Sequence, residues 1–218
     1  MPGQQLPSER LLSESLSISR MTARKALVCL EQDGYAYRAG VRTRVVAAAP
    51  LKYVVDESFS FVKSAKQQGR DCSLNLIRAK ILPCPQEVAL RLNIKESDPV
   101  YCIRRQCLID GQVFMMEDYF VSQERFPGLL DYNLNDSLID IFSNYFNVEV
   151  ASGSVSIRSN RLTDEIASLL AMTQNESCLL LSETLFDSSG SAISFDQQYW
   201  RPSAVELVAS ISVDKSDC

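Results

Sequence analysis

The 218-residue chain contains no histidine. That absence removes the side chain most used as a general base near neutral pH and the most frequent metal ligand. Serine–histidine–aspartate and cysteine–histidine catalysis are therefore excluded. The seven cysteines, at 29, 72, 84, 102, 107, 178 and 218, are odd in number and form no Cys-x-x-Cys pair. They read as reduced thiols of a cytoplasmic protein, most of them core fillers. No run approaches the ~20 apolar residues of a membrane helix, and the polar opening MPGQQLPSER carries no secretory signal. A metal cluster, a phosphate-cradling glycine loop and a convincing pair of catalytic carboxylates are missing too. The sequence reads as a binder and not an enzyme, with no cofactor, no metal and no membrane partner.

What is present is a contrast of charge. Residues 1–50 carry a net +3 and the remainder −8, within a total of −5. A basic head on an acidic body points to a polyanion met by the head alone. In the head, Ser8 is placed to cap a helix over 9–16, with Leu11, Leu12 and Leu16 as its apolar side. Ser17-Ile18-Ser19 interrupts it, and Ser19 is placed to cap a second helix over 20–33. Ala23, Ala26, Leu27 and Leu30 form one stripe of that helix and Gly34 stops it. Arg20 and Arg24, four apart, share a face away from the stripe, with Thr22 near them. Two helices joined by a tight turn, with Arg and Thr at the start of the second, match a helix-turn-helix reader of double-stranded DNA. Residues 34–47 follow as two short strands around Arg38–Arg44, a basic hairpin with Gly40 at its turn.

The strings LPSER (6–10), SRMTARKAL (19–27) and LEQDGY (30–35), with the hairpin Arg38-Ala39-Gly40 and Thr43, resemble the winged helix-turn-helix of GntR-type bacterial transcription regulators, in their HutC-like branch. The resemblance implies that Arg10, Ser19, Arg20, Thr22, Arg24, Gly40 and Thr43 meet DNA. The hairpin departs from the family, reading Gly40-Val41-Arg42-Thr43-Arg44 where Gly-x-Gly-Thr-Phe is usual. The family also places a helix of about twenty residues ahead of the LPSER string, and without it a lobe this small buries little apolar surface. The expectation therefore divides between a shortened start and a lobe whose DNA binding is lost, which leaves an effector-binding module as the alternative.

Residues 48–57 read as a linker marked by Pro50. Beyond it, strands are expected at 74–82, 99–109, 113–121, 148–158, 178–186, 192–200 and 205–212, and helices at 85–92, 136–146 and 163–171. Residues 87–120 echo 165–200: Gly111 meets Gly190 and Glu117 meets Asp196, each unit running helix, strand, turn, strand. Two such units make one antiparallel sheet with helices packed on it, an α+β domain, and a pocket belongs where they join. The body, 58–212, resembles the UTRA ligand-binding domain of HutC-like regulators, which has the chorismate-lyase fold. Its carrying strings are ALRLNIKESDPV (89–100), IDG (109–111), EDYF (117–120), FPGLLDYNLNDSL (126–138) and SFDQQYW (194–200). The domains expected are thus 1–47, winged helix-turn-helix, and 58–212, effector-binding.

Arg105 and Glu117 flank the Asp110-Gly111 turn at similar distances and are expected to face each other, with the arginine able to grip an anion by two prongs. The resemblance implies effector contacts from Arg105, Glu117 and Ser137, the last at a helix N-terminus. Arg104, Asp196 and Trp200 complete the candidate effector set. The whole reads as a ligand-responsive regulator and repressor, binding a palindromic operator as a homodimer and controlled by a small anionic metabolite. That metabolite is a phosphate ester, a phosphonate or a carboxylate.

Overall fold

The computed structural model describes residues 2–38, 43–55, 60–172 and 175–209. Two compact units emerge: residues up to Tyr53 together with Pro202–Val208, and Val54–Arg201.

The first unit opens with α1 (Glu9–Leu16) and α2 (Arg20–Gln32). Ser8 Oγ accepts from the Leu11 N–H at 3.3 Å, and Ser19 Oγ from the Thr22 N–H at 3.0 Å, each cap contributing about 1 kcal/mol. Ser17 adopts a left-handed conformation that ends α1. Ala23 and Leu27 are buried, four apart on α2. Ala26 and Leu30, expected on the same stripe, are exposed. The covered stripe is narrower than the pattern implies because α1, a helix of 8 residues, buries none of its own side chains and shields little.

The hairpin forms as β1 (Ala36–Arg38) and β2 (Arg44–Val46), with Arg38 opposite Arg44. The facing cations are offset by Glu31 of α2, which accepts from both; Arg44 also reaches Glu9 at 3.4 Å. These two arginines thus fasten the hairpin root to the helices. Gly40 and Arg42 lie outside the described residues.

The presumed linker contains a strand, β3 (Leu51–Val54), with Leu51 and Tyr53 turned inward. Its partner is the strand Val205–Val208, β10 in chain order. The expected boundaries are therefore corrected: 48–57 is not all linker, and the final strand joins the first unit, not the body. Residues 210–212 of that expected strand lie outside the described residues.

In the second unit α3 (Phe61–Gln67), unforeseen in the sequence, precedes β4 (Cys72–Pro83), α4 (Gln86–Leu92), β5 (Pro99–Ile109) and β6 (Gln112–Ser122). Then come α5 (Leu138–Phe146), β7 (Ser152–Arg161), α6 (Asp164–Leu169), β8 (Ser177–Phe186) and β9 (Ala192–Trp200). One antiparallel sheet runs β4-β5-β6-β9-β8-β7. The internal echo is thus one strand longer than the sequence shows: β4-α4-β5-β6 is matched by β7-α6-β8-β9, and the halves meet at β6 and β9. The helices α4 and α6 bury Val88, Leu92, Ile166 and Leu170 on one face of the sheet. On the other face α5 packs Leu138, Ile141 and Phe142 against Ile103, Tyr119 and Val121, each such side chain contributing about 1.5–3 kcal/mol by leaving water. Four of the six described cysteines, Cys84, Cys102, Cys107 and Cys178, are buried, and all six are free thiols.

Candidate functional site

Strand alternation sends Tyr101, Ile103 and Arg105 of β5 to the α5 face and Arg104 to the opposite one. On the α5 face the cross-strand rows are polar. Arg105 stands opposite Glu117, which stands opposite Gln198. Tyr119 stands opposite Asp196, which stands opposite Glu183. All six are buried: Glu117 is 2% exposed, Arg105 4%, Glu183 5% and Asp196 0%. A chamber of about 40 Å³ opens among Arg105, Glu117, Tyr119, Glu183, Gln198 and Ser137. It shares Ser60, Val62, Leu74, Ser137 and Ile139 with an outer groove of about 1210 Å³. The site straddles the β6/β9 junction where the two halves meet.

Arg105 is heavily committed. Its Nε donates to Glu117, and its Nη1 donates to the carbonyls of Leu134 (3.1 Å) and Asp136 (2.8 Å). Burial most strongly opposes its charge, but Glu117, Cys107 and Tyr119 together outweigh it, so its pKa is raised. Nε and Nη1 are thus taken up by protein groups, while Nη2 donates to no group among the described residues. Arg105 ties the loop ahead of α5 to the sheet. That loop is fixed a second time by the Asn135 Oδ1, which accepts from the Leu76 N–H at 2.7 Å. Ser137 caps α5, its hydroxyl accepting from the Asp140 N–H at 3.2 Å. The remaining first-turn N–H groups of α5 face no helical acceptor and favour an anion. Across the groove stand Lys63 and Lys66 of α3; Asp136, Asp140 and Glu149 also line it.

Behind the chamber the carboxyls are displaced from their usual range. Burial, with Glu117 nearby, pushes Glu183 up to about 8. Burial first, and then Glu183 and Glu117, raise Asp196 well above the ordinary value. Asp196 Oδ2 accepts from Gln198 Nε2 at 2.6 Å, while Oδ1 has no hydrogen-bond partner among the described residues. Tyr119, accepting from Ser194 at 3.1 Å, is also raised, chiefly by burial.

Three expected effector residues do not line this chamber: Asp196, which lies behind it, Arg104 and Trp200. Arg104, on the far face, pairs with Asp118 at 2.6 Å and Glu165 at 2.5 Å. Trp200 is a core residue, edge-on to Phe61 and Phe114, its indole N–H on Gln198. Glu183, which sequence reasoning passed over, is in the chamber; its one sequence signal is a lone acid in the apolar run of β8, at the repeat position of Arg105.

In the first unit Arg20, Thr22, Arg24 and Lys25 are all exposed at the start of α2. Arg20, Arg24 and Lys25 join no ion pair among the described residues, whereas Arg10 is held by Glu14 at 3.0 Å. Ser19 and Thr22 share a hydroxyl contact of 2.8 Å. Thr43 is half-buried at the edge of β2.

A UTRA domain matches residues 67–206, and the family described as bacterial regulatory proteins, gntR family, matches residues 1–45. The chain belongs to the GntR-type transcription regulators that carry a UTRA domain. It is 26% identical over 211 residues to YihL of Escherichia coli K12, described as an uncharacterised HTH-type transcriptional regulator. That match covers 96% of this chain and 89% of YihL. It is 24% identical to the HTH-type transcriptional repressor NagR of Bacillus subtilis, over 92% of this chain and 82% of NagR. The crystal structure of PhnF from Mycobacterium smegmatis shares the fold with a TM-score of 0.73 at 24% identity, covering 98% of this chain and 94% of that one. These relatives are regulators, not enzymes. Among the described residues, no helix is long and apolar enough to cross a membrane.

Proposed function

We propose that this GntR-type regulator is a repressor, binding a palindromic operator as a homodimer and released when a small anionic metabolite enters the groove at the start of α5. The observation that carries the reading is the cluster Arg20, Arg24 and Lys25, exposed and without ion-pair partners among the described residues, at the N-terminus of the second helix of a helix-turn-helix. A guanidinium fork there matches the O6 and N7 edges of guanine, and the remaining cations suit phosphates. Ser19, Thr22, Arg10 and Thr43 are proposed as backbone contacts. For the effector, the α5 N-terminus with Ser137, faced by Lys63 and Lys66, supports an anionic group in the outer groove. A coupling of about 1–3 kcal/mol between the two sites suffices for a useful switch.

The test has two arms. Gel shifts at fixed salt on DNA flanking the coding sequence should show a retarded complex that Arg20→Ala and Arg24→Ala weaken; no complex at low salt leaves the effector-module alternative. A thermal-shift screen of small acids and phosphorylated metabolites should find a compound that raises the melting temperature with concentration. The exposed double variant Lys63→Ala/Lys66→Ala should reduce that rise, and an unaltered rise removes the outer groove from the site.

A further inference from the structure

The effector chamber holds one cation and several acids, and two of the cation's three nitrogens are already engaged. Arg105 is bound to Glu117 and to two carbonyls. Glu183 lines the same chamber, is 5% exposed, and its side chain makes no hydrogen bond among the described residues. Directly across from it lies Asp196, whose Oδ1 also has no partner among them.

The internal repeat sharpens this. In the first half Arg105 stands opposite Glu117; at the equivalent place in the second half Glu183 stands opposite Asp196. The second half keeps the carboxylate and replaces its guanidinium by another acid. Two buried acids with no cation between them are costly unless a proton or an outside cation is shared with them.

Size limits what can fill the place. The chamber's 40 Å³ admits a group no larger than one or two waters, whereas the outer groove it joins has room for the rest of a metabolite. The groove offers an anion the α5 N-terminus and two lysines, beside Asp136, Asp140 and Glu149, whereas the chamber's side chain left unpartnered among the described residues, Glu183, is an acid that suits a cation.

Resting on the effector-site reading above, we infer that the inner chamber is a subsite for a protonated amine received by Glu183, so that the effector is a small zwitterion with its ammonium inward and its acidic group at the start of α5. Around Glu183 the ionisable groups are Glu117 and Tyr119 on β6, Asp196 on β9 and Arg105 on β5. Of these only Arg105 is cationic. An ammonium bound there favours the ionised carboxylate, so binding expels a proton at neutral pH.

The experiment uses methylammonium as the probe, with the full chain, following the side-chain carboxyl 13C signals of glutamate and aspartate through a pH titration. Methylammonium chloride should lower the Glu183 midpoint relative to sodium chloride at equal ionic strength. Glu183→Gln, near in shape and neutral, should remove the associated saturable shift of the Asp196 signal while keeping the far-UV spectrum. An unchanged Glu183 midpoint overturns the inference. So does an effector, once identified, that lacks a cationic group and binds Glu183→Gln as well as the parent. Either result leaves the effector groove standing as long as that effector still depends on Lys63 and Lys66; if it does not, the groove reading itself fails.

Discussion

Neutralising Glu183 should stabilise this protein, and more so as pH rises. In the folded state its carboxyl is pushed up to about 8 from an ordinary 4.5, by burial and by Glu117. Between those two values the native chain holds a proton that the unfolded chain has released. Stability from this group is fully present below the unfolded value and is lost as pH rises through the folded one. Each pH unit in that window costs about 1.4 kcal/mol. Going from about pH 5 to about pH 7.5, the parent should therefore lose about 3 kcal/mol relative to Glu183→Gln. Glu183 also raises Asp196, so the substitution relieves both acids and the difference between the proteins reports the pair. The assay is urea unfolding of both proteins at the two pH values, followed by tryptophan fluorescence, since Trp200 is buried against Phe61 and Phe114. A gap between parent and variant that stays constant with pH would refute a protonated, buried Glu183.

Arg105→Met should cost about 3–5 kcal/mol in the same urea assay, because it leaves Glu117 charged and unpaired in the interior and frees the Leu134 and Asp136 carbonyls. Arg20→Ala should leave the melting temperature unchanged, since its side chain is exposed and unpaired, yet lower the salt slope of DNA binding by about one. Gly34→Ala should lower the melting temperature by at least the equivalent of about 1 kcal/mol. Gly34 has φ +77°, and an added Cβ would sit 2.4 Å from that of Ser203.

The helix caps, the Asp110-Gly111 turn and the long alternating strands were legible in the sequence because each is a local signal. Ser8 and Ser19 act on backbone groups three residues away, and Pro99–Ile109 repeats every second residue. The short β3 and the seven-residue α3 carry too few residues to show a period, and β10 finds its partner some 150 residues earlier, which no window spans. In the site, strand parity sufficed to place Arg105 with Glu117, and the same parity puts Arg104 on the far face, against its place in the expected effector set. What parity could not tell was that the loop before α5 would claim the Nη1 of Arg105. Nor could it tell that Trp200 would be taken by Phe61, a residue in an element the sequence concealed. Glu183 was within reach: it takes the place of Arg105 once the two halves are superposed.

The return of the chain to β3 after β9 has a practical consequence for dissecting this regulator. Because Pro202–Val208 folds with the amino-terminal residues, the backbone leaves the first unit near Val54 and re-enters it near Arg201. A cut in the apparent linker would therefore yield a head whose β3 lacks its neighbour and a body ending in an orphan strand. An isolated sensor should stop close to Arg201, and an isolated DNA-reading piece should have residues 202–208 grafted back by a short tether.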